Sequence, residues 1–270
     1  MAPSPPGRPV TLAGGLSTVV TEIGADNGSP PVVLLHGWVG SRRSFVALPP
    51  VLSRDARLVA ADQRGHGDAD KPTTGYDLPT LAGDVLSLLD LLELPRVVLV
   101  GASSGGYVAQ QVALDAPDRV AGLVLAGAPR DLRGRPPFAD ELDRLHDPVD
   151  PAWARNFAAG LTDLDRLPSW YVDLLVEDSL RLPAAIWQAS LHGLITSVPP
   201  TDLGVIDVPT LVVSGGRDHL VGEQTAALVA AIPRAQWIEY PDTGHLVLEE
   251  QPTRLADDVA DFLAGIPAES

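Results

Sequence analysis

Short, densely apolar runs recur along this chain, each followed by a longer stretch of helical periodicity, and that alternation limits the fold more than any other feature. The runs are PVVLLHG from Pro31, ARLVAADQ from Ala56, RVVLVGAS from Arg96, VAGLVLAGA from Val120, VPTLVVSGG from Val208 and AQWIEYPDT from Ala235. Strands covered on both faces read as continuous Val and Leu, and strands alternating with helices build a parallel sheet. Helical patterns fall at Pro79 to Glu93, Gly106 to Ala116, Glu223 to Ala231 and Pro252 to Leu263. Upstream, VTLAGGLSTVVTEIG alternates more and carries central glycines, so it predicts an antiparallel leading pair. The expected class is therefore α/β, an eight-stranded, mostly parallel sheet flanked by helices.

The rhythm breaks once. From Asp131 to Val205 there is no buried-strand run, only helical stretches punctuated by Pro and carrying Phe138, Trp153, Phe157, Trp170, Tyr171 and Trp187. An insertion between two sheet strands predicts a helical cap over the strand ends. The expected organisation is a core of residues 1–130 and 206–270 with a cap of residues 131–205 inserted in it. A chain of 270 residues is long enough for such a core.

Several function classes are disfavoured by composition. A formal net charge of -16 argues against nucleic acid, because neutralising phosphates needs clustered Lys and Arg. The absence of cysteine removes disulfides, thiolate nucleophiles and Cys-ligated zinc. No His/Asp grouping has ligand spacing, so no metal is expected. The start, MAPSPPGRPV, does not read as a signal peptide, and no uncharged apolar run approaches the roughly 18 residues of a membrane span. A cytoplasmic protein with no membrane partner is expected; nothing in the sequence specifies an oligomeric state.

Chemistry is suggested first by Gly101-Ala102-Ser103-Ser104-Gly105, directly after a strand. A sharp strand-to-helix turn can hold a nucleophile in a strained backbone conformation only where the flanking residues are small. The frame shifted by one would put Ser104 at the apex, and the pattern alone allows both. Ser103 is favoured because it comes immediately off the strand, leaving Ser104 as the first helical N–H. A serine alcohol needs a base, and the base an orienting acid. His245 falls in the loop between the last strand and the last helix, and Asp218 just after the preceding strand. His219 is a weaker base candidate because sequence neighbours rarely face each other. The backbone N–H groups of Trp38, after His36-Gly37, and of Ser104 are candidate donors to an oxyanion. His36 reads as stabilising its turn by a hydrogen bond, and His66 as a satisfied loop residue.

Taken in order, HGW, DQRGHG (Asp62 to Gly67), GASSGG, GGRD and GH before EEQP resemble the α/β-hydrolase superfamily, specifically its capped single-domain members, from about Pro31 to Leu263. The resemblance implies Ser103 as nucleophile, Asp218 as acid, His245 as base, and Trp38 and Ser104 as oxyanion donors. It implies a structural DQRGHG loop, with Asp62 and Arg64 bracing it and Gly65 and Gly67 permitting the turn. Serine at the apex argues against the epoxide-opening and halide-displacing members, which carry Asp there. Lactone-cleaving relatives with the acid one strand earlier do not match, since Ala126 to Pro129 holds no acid before Asp131. The usual Ser after RGHG is replaced by Asp68-Ala69-Asp70.

The implied activity is cofactor-independent hydrolysis of a carboxylic ester or lactone through an acyl-enzyme. The same residues would serve perhydrolysis, cofactor-free haloperoxidation or carbon–carbon cleavage, or persist in a ligand-binding or signalling protein with negligible turnover. Trp153, Phe157 and Trp187 are the expected substrate-binding residues, and the cap shows no Lys/Arg cluster that would suggest a phosphorylated or coenzyme A substrate. A medium-sized, uncharged, moderately apolar small molecule is the expected partner.

Overall fold

A computed structural model of the chain describes residues 6–25, 28–48, 52 and 56–266. The proline-rich start as far as Pro5, with the expectation placed on it, lies outside the described residues. The strands are β1 (Arg8–Thr11), β2 (Ser17–Ile23), β3 (Val32–Leu35), β4 (Leu58–Ala61), β5 (Val97–Ala102), β6 (Val120–Ala126), β7 (Thr210–Gly215) and β8 (Ala235–Tyr240). They form one eight-stranded sheet in the order β1-β2-β4-β3-β5-β6-β7-β8. β1 pairs with β2 and β2 with β4 antiparallel; every other pairing is parallel. The expected class and the antiparallel leading pair are both present.

Because strand side chains alternate between faces, each apolar run divides itself between two cores. Val33, Leu35, Leu99, Leu123 and Val212 face one way, against helices α1 (Leu78–Leu91), α2 (Ser104–Asp115) and α8 (Thr225–Ala231). Val32, Leu34, Val98, Val100, Val124 and Val213 face the other, against α9 (Val247–Glu250) and α10 (Pro252–Ala264). α1 shows how local sequence makes an element: Asp77 caps its first turn by accepting from the Thr80 N–H, Pro79 sits where no N–H is needed, and Leu78, Leu81, Ala82, Val85, Leu88 and Leu89 form its buried stripe. β8 departs from the expected two-sided burial, since it is the edge strand and Trp237 on it is 44% exposed.

Between β6 and β7 the described chain forms no strand. It runs through α3 (Ala139–Leu142), α4 (Pro151–Leu161), α5 (Ser169–Leu180), α6 (Ala184–Thr196) and α7 (Pro200–Leu203). These inserted helices have apolar clusters of their own. One gathers Leu142, Val149, Leu182, Ile186, Trp187 and Leu191 around Val39, with Trp38 packed against it; both residues belong to the loop after β3. Among the described residues no helix is long and apolar enough to cross a membrane.

The sheet order explains where a site can form. The chain steps from β3 outward to β4 and returns across β3 to β5, so the loops leaving β3 and β5 diverge and open a crevice at the strands' carboxyl ends. Leu35 pairs in register with Gly101, which sets the loop at His36 to Trp38 beside Ser103.

Candidate active site

Ser103 stands between β5 and α2 at φ 50° and ψ -122°, a region that non-glycine residues rarely enter and that costs about 1–3 kcal/mol. Two interactions hold it there: its N–H donates to the Ala126 carbonyl on β6 at 2.8 Å, and its own carbonyl accepts from the Gly106 N–H at 2.9 Å. A serine preceding a helix commonly caps it, but the Ser103 hydroxyl makes no capping bond. Instead Oγ lies 2.8 Å from Nε2 of His245. The strained apex is thus Ser103, and Ser104 is the first residue of α2.

His245 is carried by the loop after β8, which other contacts hold against the sheet. A Cβ on Gly215 at the end of β7 would stand 2.1 Å from the Gly244 carbonyl oxygen, so the loop passes over bare backbone. The Gly244 N–H donates to Glu250 Oε1 at 2.9 Å, and the Thr162 hydroxyl donates to the same oxygen. Nδ1 of His245 is 2.9 Å from Asp218 Oδ2. The other carboxylate oxygen of Asp218 accepts the N–H groups of Leu220 at 2.8 Å and Val221 at 3.0 Å. Burial would raise the Asp218 pKa, but the His245 ring and these two N–H groups outweigh it and hold the carboxyl below its ordinary value. A carboxylate at Nδ1 places the ring proton there and leaves Nε2 free to accept from Ser103.

The loop after β3 closes the other side. A Cβ on Gly37 would meet the Ser103 Cβ at 3.3 Å. Among the described residues, no acceptor is bonded to the main-chain N–H of Trp38 or Ser104. His36 braces this loop as expected: Nδ1 donates to the Gly37 carbonyl at 2.8 Å, and Nε2 accepts the Gln63 N–H at 2.9 Å. Complete burial lowers its pKa to about 4, so it stays neutral in that role.

A sequence model of the alpha/beta hydrolase fold matches residues 30–175, over half of the chain. The chain belongs to the α/β-hydrolase superfamily. It is 32% identical to a non-heme chloroperoxidase of Streptomyces lividans, over 94% of this chain and 98% of that protein. It is 28% identical to a putative 2-succinyl-6-hydroxy-2,4-cyclohexadiene-1-carboxylate synthase of Bacillus subtilis (strain 168), over 95% and 98%. Among solved structures, an esterase from Thermogutta terrifontis matches with a TM-score of 0.84 at 26% identity, covering 97% of this chain and 99% of that one.

Two cavities of this α/β-hydrolase chain meet at Ser103. An inner one of about 80 Å³ also touches Trp38, Phe138, Phe157, Leu175 and His245. An outer one of about 270 Å³ also touches Ser104, Leu132, Arg133, Arg135 and Leu194. Of the aromatics expected to bind substrate, Phe157 lines the inner cavity, whereas Trp153 and Trp187 line neither. Trp187 is completely buried and packs edge-on against Trp38, Trp153 and Phe157, so its area goes to holding the inserted helices on the β3 loop. The sequence showed an aromatic there but not which way it faced. Phe138 lines both cavities, and only its membership of the aromatic group signalled it. Arg133 and Arg135 of the inserted segment both line the outer cavity. Both are paired, Arg133 with Asp131 and Asp202 and Arg135 with Asp140 and Asp143.

The Asp62 to Gly67 loop is structural, with one adjustment. Asp62 accepts the main-chain N–H groups of Arg42 and Asp68, while Arg64 reaches out of the loop to Asp84 on α1. Gly65 and Gly67 have positive φ. The Asp68 that departs from the superfamily pattern forms ion pairs with Arg42 and with Arg181 beyond α5. Nearby, Asp178 on α5 accepts from the Ser41 hydroxyl at 2.6 Å and pairs with Arg43. Burial pushes Asp178 up to about 6 against those partners. Together these contacts tie the inserted helices to the loops after β3 and β4.

Proposed function

We propose that this protein is a serine hydrolase that cleaves a carboxylic ester or lactone through a covalent acyl-enzyme, beneath a helical cap of residues 131–205. The observation that carries the reading is the 2.8 Å separation of Ser103 Oγ from His245 Nε2, with Asp218 at the far nitrogen of the same ring. In this mechanism Nε2 takes the hydroxyl proton as Oγ attacks the carbonyl carbon, and Asp218 stabilises the imidazolium that forms. The N–H groups of Trp38 and Ser104, unbonded among the described residues, receive the developing oxyanion, one at a loop end and one at the start of α2. His245 returns the proton to the leaving alcohol, then takes one from water for deacylation. Both reacting partners are small molecules, and the two cavities give room for a group on either side of the carbonyl.

The experiment is active-site labelling with a fluorophosphonate alongside turnover of p-nitrophenyl esters. Labelling at Ser103 with many turnovers supports the hydrolase; labelling without turnover favours a binding protein on this fold. Unaltered hydrolysis by Ser103→Ala would remove the nucleophile assignment. Likeness to the Streptomyces lividans chloroperoxidase supports a second reading, in which peroxide replaces water at the acyl-enzyme. Formation of peracetic acid from acetate and hydrogen peroxide, measured by halide oxidation, separates that reading from simple hydrolysis.

A further inference from the structure

The inner cavity is apolar along Val39, Phe157, Leu161 and Leu175, yet Ser44, Ser179 and Glu249 line it as well. Ser44 and Ser179 are 5% and 4% exposed, and neither hydroxyl is hydrogen-bonded among the described residues. Glu249 lies one helical turn beyond His245, at the end of α9. Its own main-chain N–H donates to the Leu246 carbonyl at 3.1 Å, and among the described residues no hydrogen-bond donor reaches the carboxyl and no cation pairs with it. A carboxyl in an apolar cavity is costly unless something bonds to it. Its neighbour Glu250 has structural contacts: Oε1 accepts from Gly244 and Thr162, and Oε2, though not hydrogen-bonded, stands 3.8 Å from Arg166 Nε. The Glu249 carboxyl makes no such contact among the described residues. Burial, opposed by its own N–H and by His245, pushes it up to about 7.

We propose that Glu249, with Ser44 and Ser179, forms a polar subsite that selects substrates bearing a hydrogen-bond donor, a hydroxyl or an ammonium group, on the chain that enters the inner cavity. The inference rests on the reading above in taking this cavity as the substrate's seat. It refines the expectation of an uncharged, moderately apolar substrate. A donor-bearing chain satisfies the carboxyl, whereas a methyl-terminated chain buries it unsatisfied.

Binding to the Ser103→Ala protein reads the subsite without requiring turnover. Calorimetry would compare esters whose acyl or alkoxy chain ends in hydroxyl, ammonium or methyl at matched length. We expect a donor-bearing ester to bind about tenfold to a hundredfold more tightly than its methyl counterpart. Adding Glu249→Leu should erase that preference and tighten the methyl-terminated ester. Adding Glu249→Gln should keep a hydroxyl preference and lose an ammonium one, which identifies the donor. Equal affinities for all three esters, a preference that survives Glu249→Leu, or no binding by any ester overturns the subsite. The hydrolase reading fails separately: a Ser103 protein that shows the binding preference but neither reacts with fluorophosphonate nor turns over esters overturns that reading and leaves the subsite standing.

Discussion

A Cβ placed on Gly105 would stand 2.1 Å from the carbonyl oxygen of Leu35, so the first turn of α2 and the end of β3 meet through bare backbone. That contact brings Ser103 beside the loop carrying Trp38. Gly105→Ala cannot be absorbed by moving a side chain, because the obstructing atom is main chain. We expect it to cost about 3 kcal/mol of stability and most of the activity, with the urea midpoint as the measurement. A midpoint equal to that of the parent protein would contradict the close approach.

The two adjacent serines should separate cleanly. Ser104→Ala retains the main-chain N–H assigned to the oxyanion and should lose less than about tenfold in kcat, whereas Ser103→Ala should lose about 10⁴-fold or more. Asp218→Asn should also lose about 10⁴-fold, because an amide at Nδ1 no longer enforces the ring tautomer. Stopped-flow acylation with an activated ester measures all three. Comparable losses for the two serines would mean that the side chain of Ser104 takes part.

Stability should carry a signature of Glu249. Burial holds this carboxyl near 7 against an ordinary 4.5, and the groups that act on it are its own N–H, His245 and Glu250. The folded protein therefore binds the proton more tightly than the unfolded chain. This contribution to stability is full below about 4.5, falls as pH rises through the window to about 7, and then levels off. Glu249→Gln should remove that decline and exceed the parent by on the order of 2 kcal/mol at alkaline pH, read from urea unfolding across the window. Parallel profiles for the two proteins would contradict the burial of the carboxyl.

Phe157 and Trp187 touch each other, with ring centroids 5.1 Å apart, yet they should fail differently. Trp187→Ala removes a completely buried side chain and should cost about 3–5 kcal/mol. Phe157→Ala opens the inner cavity and should alter kcat/KM between short and bulky esters more than it lowers the Tm. Thermal unfolding paired with a substrate panel distinguishes them, and equal effects on both measurements would erase the distinction.

Much of this was legible along the chain because it depends on local pattern. Continuous Val and Leu runs imply strands buried on two faces wherever the helices lie, and Gly101, Ser103 and Gly105 announce a tight turn from their own size. Helix boundaries came close for the same reason, since Pro252 opens α10 and Pro79 lies in the first turn of α1. The inserted helices were harder. Their aromatics are evident by composition, but whether a ring lines a cavity or fills a core depends on which neighbours arrive from elsewhere. Trp187 is enclosed by Trp38 from the β3 loop and by Trp153 and Phe157 from α4. Glu249 went unread because beside Glu250 in EEQP it resembles any acidic helix face.

The sequence by itself determined the alternation of strands and helices, a tight turn at Ser103 and Ser104, and the chain order of Ser103, Asp218 and His245. Only tertiary structure decided that His245, 142 residues away from Ser103, comes within hydrogen-bonding distance of it, and that Glu249 shares their cavity while Trp187 does not. Periodicity and turn chemistry act over a few residues and are written in residue order. A side chain's surroundings are set by segments distant in the chain, which meet only once the sheet has ordered its strands and burial has chosen what covers them.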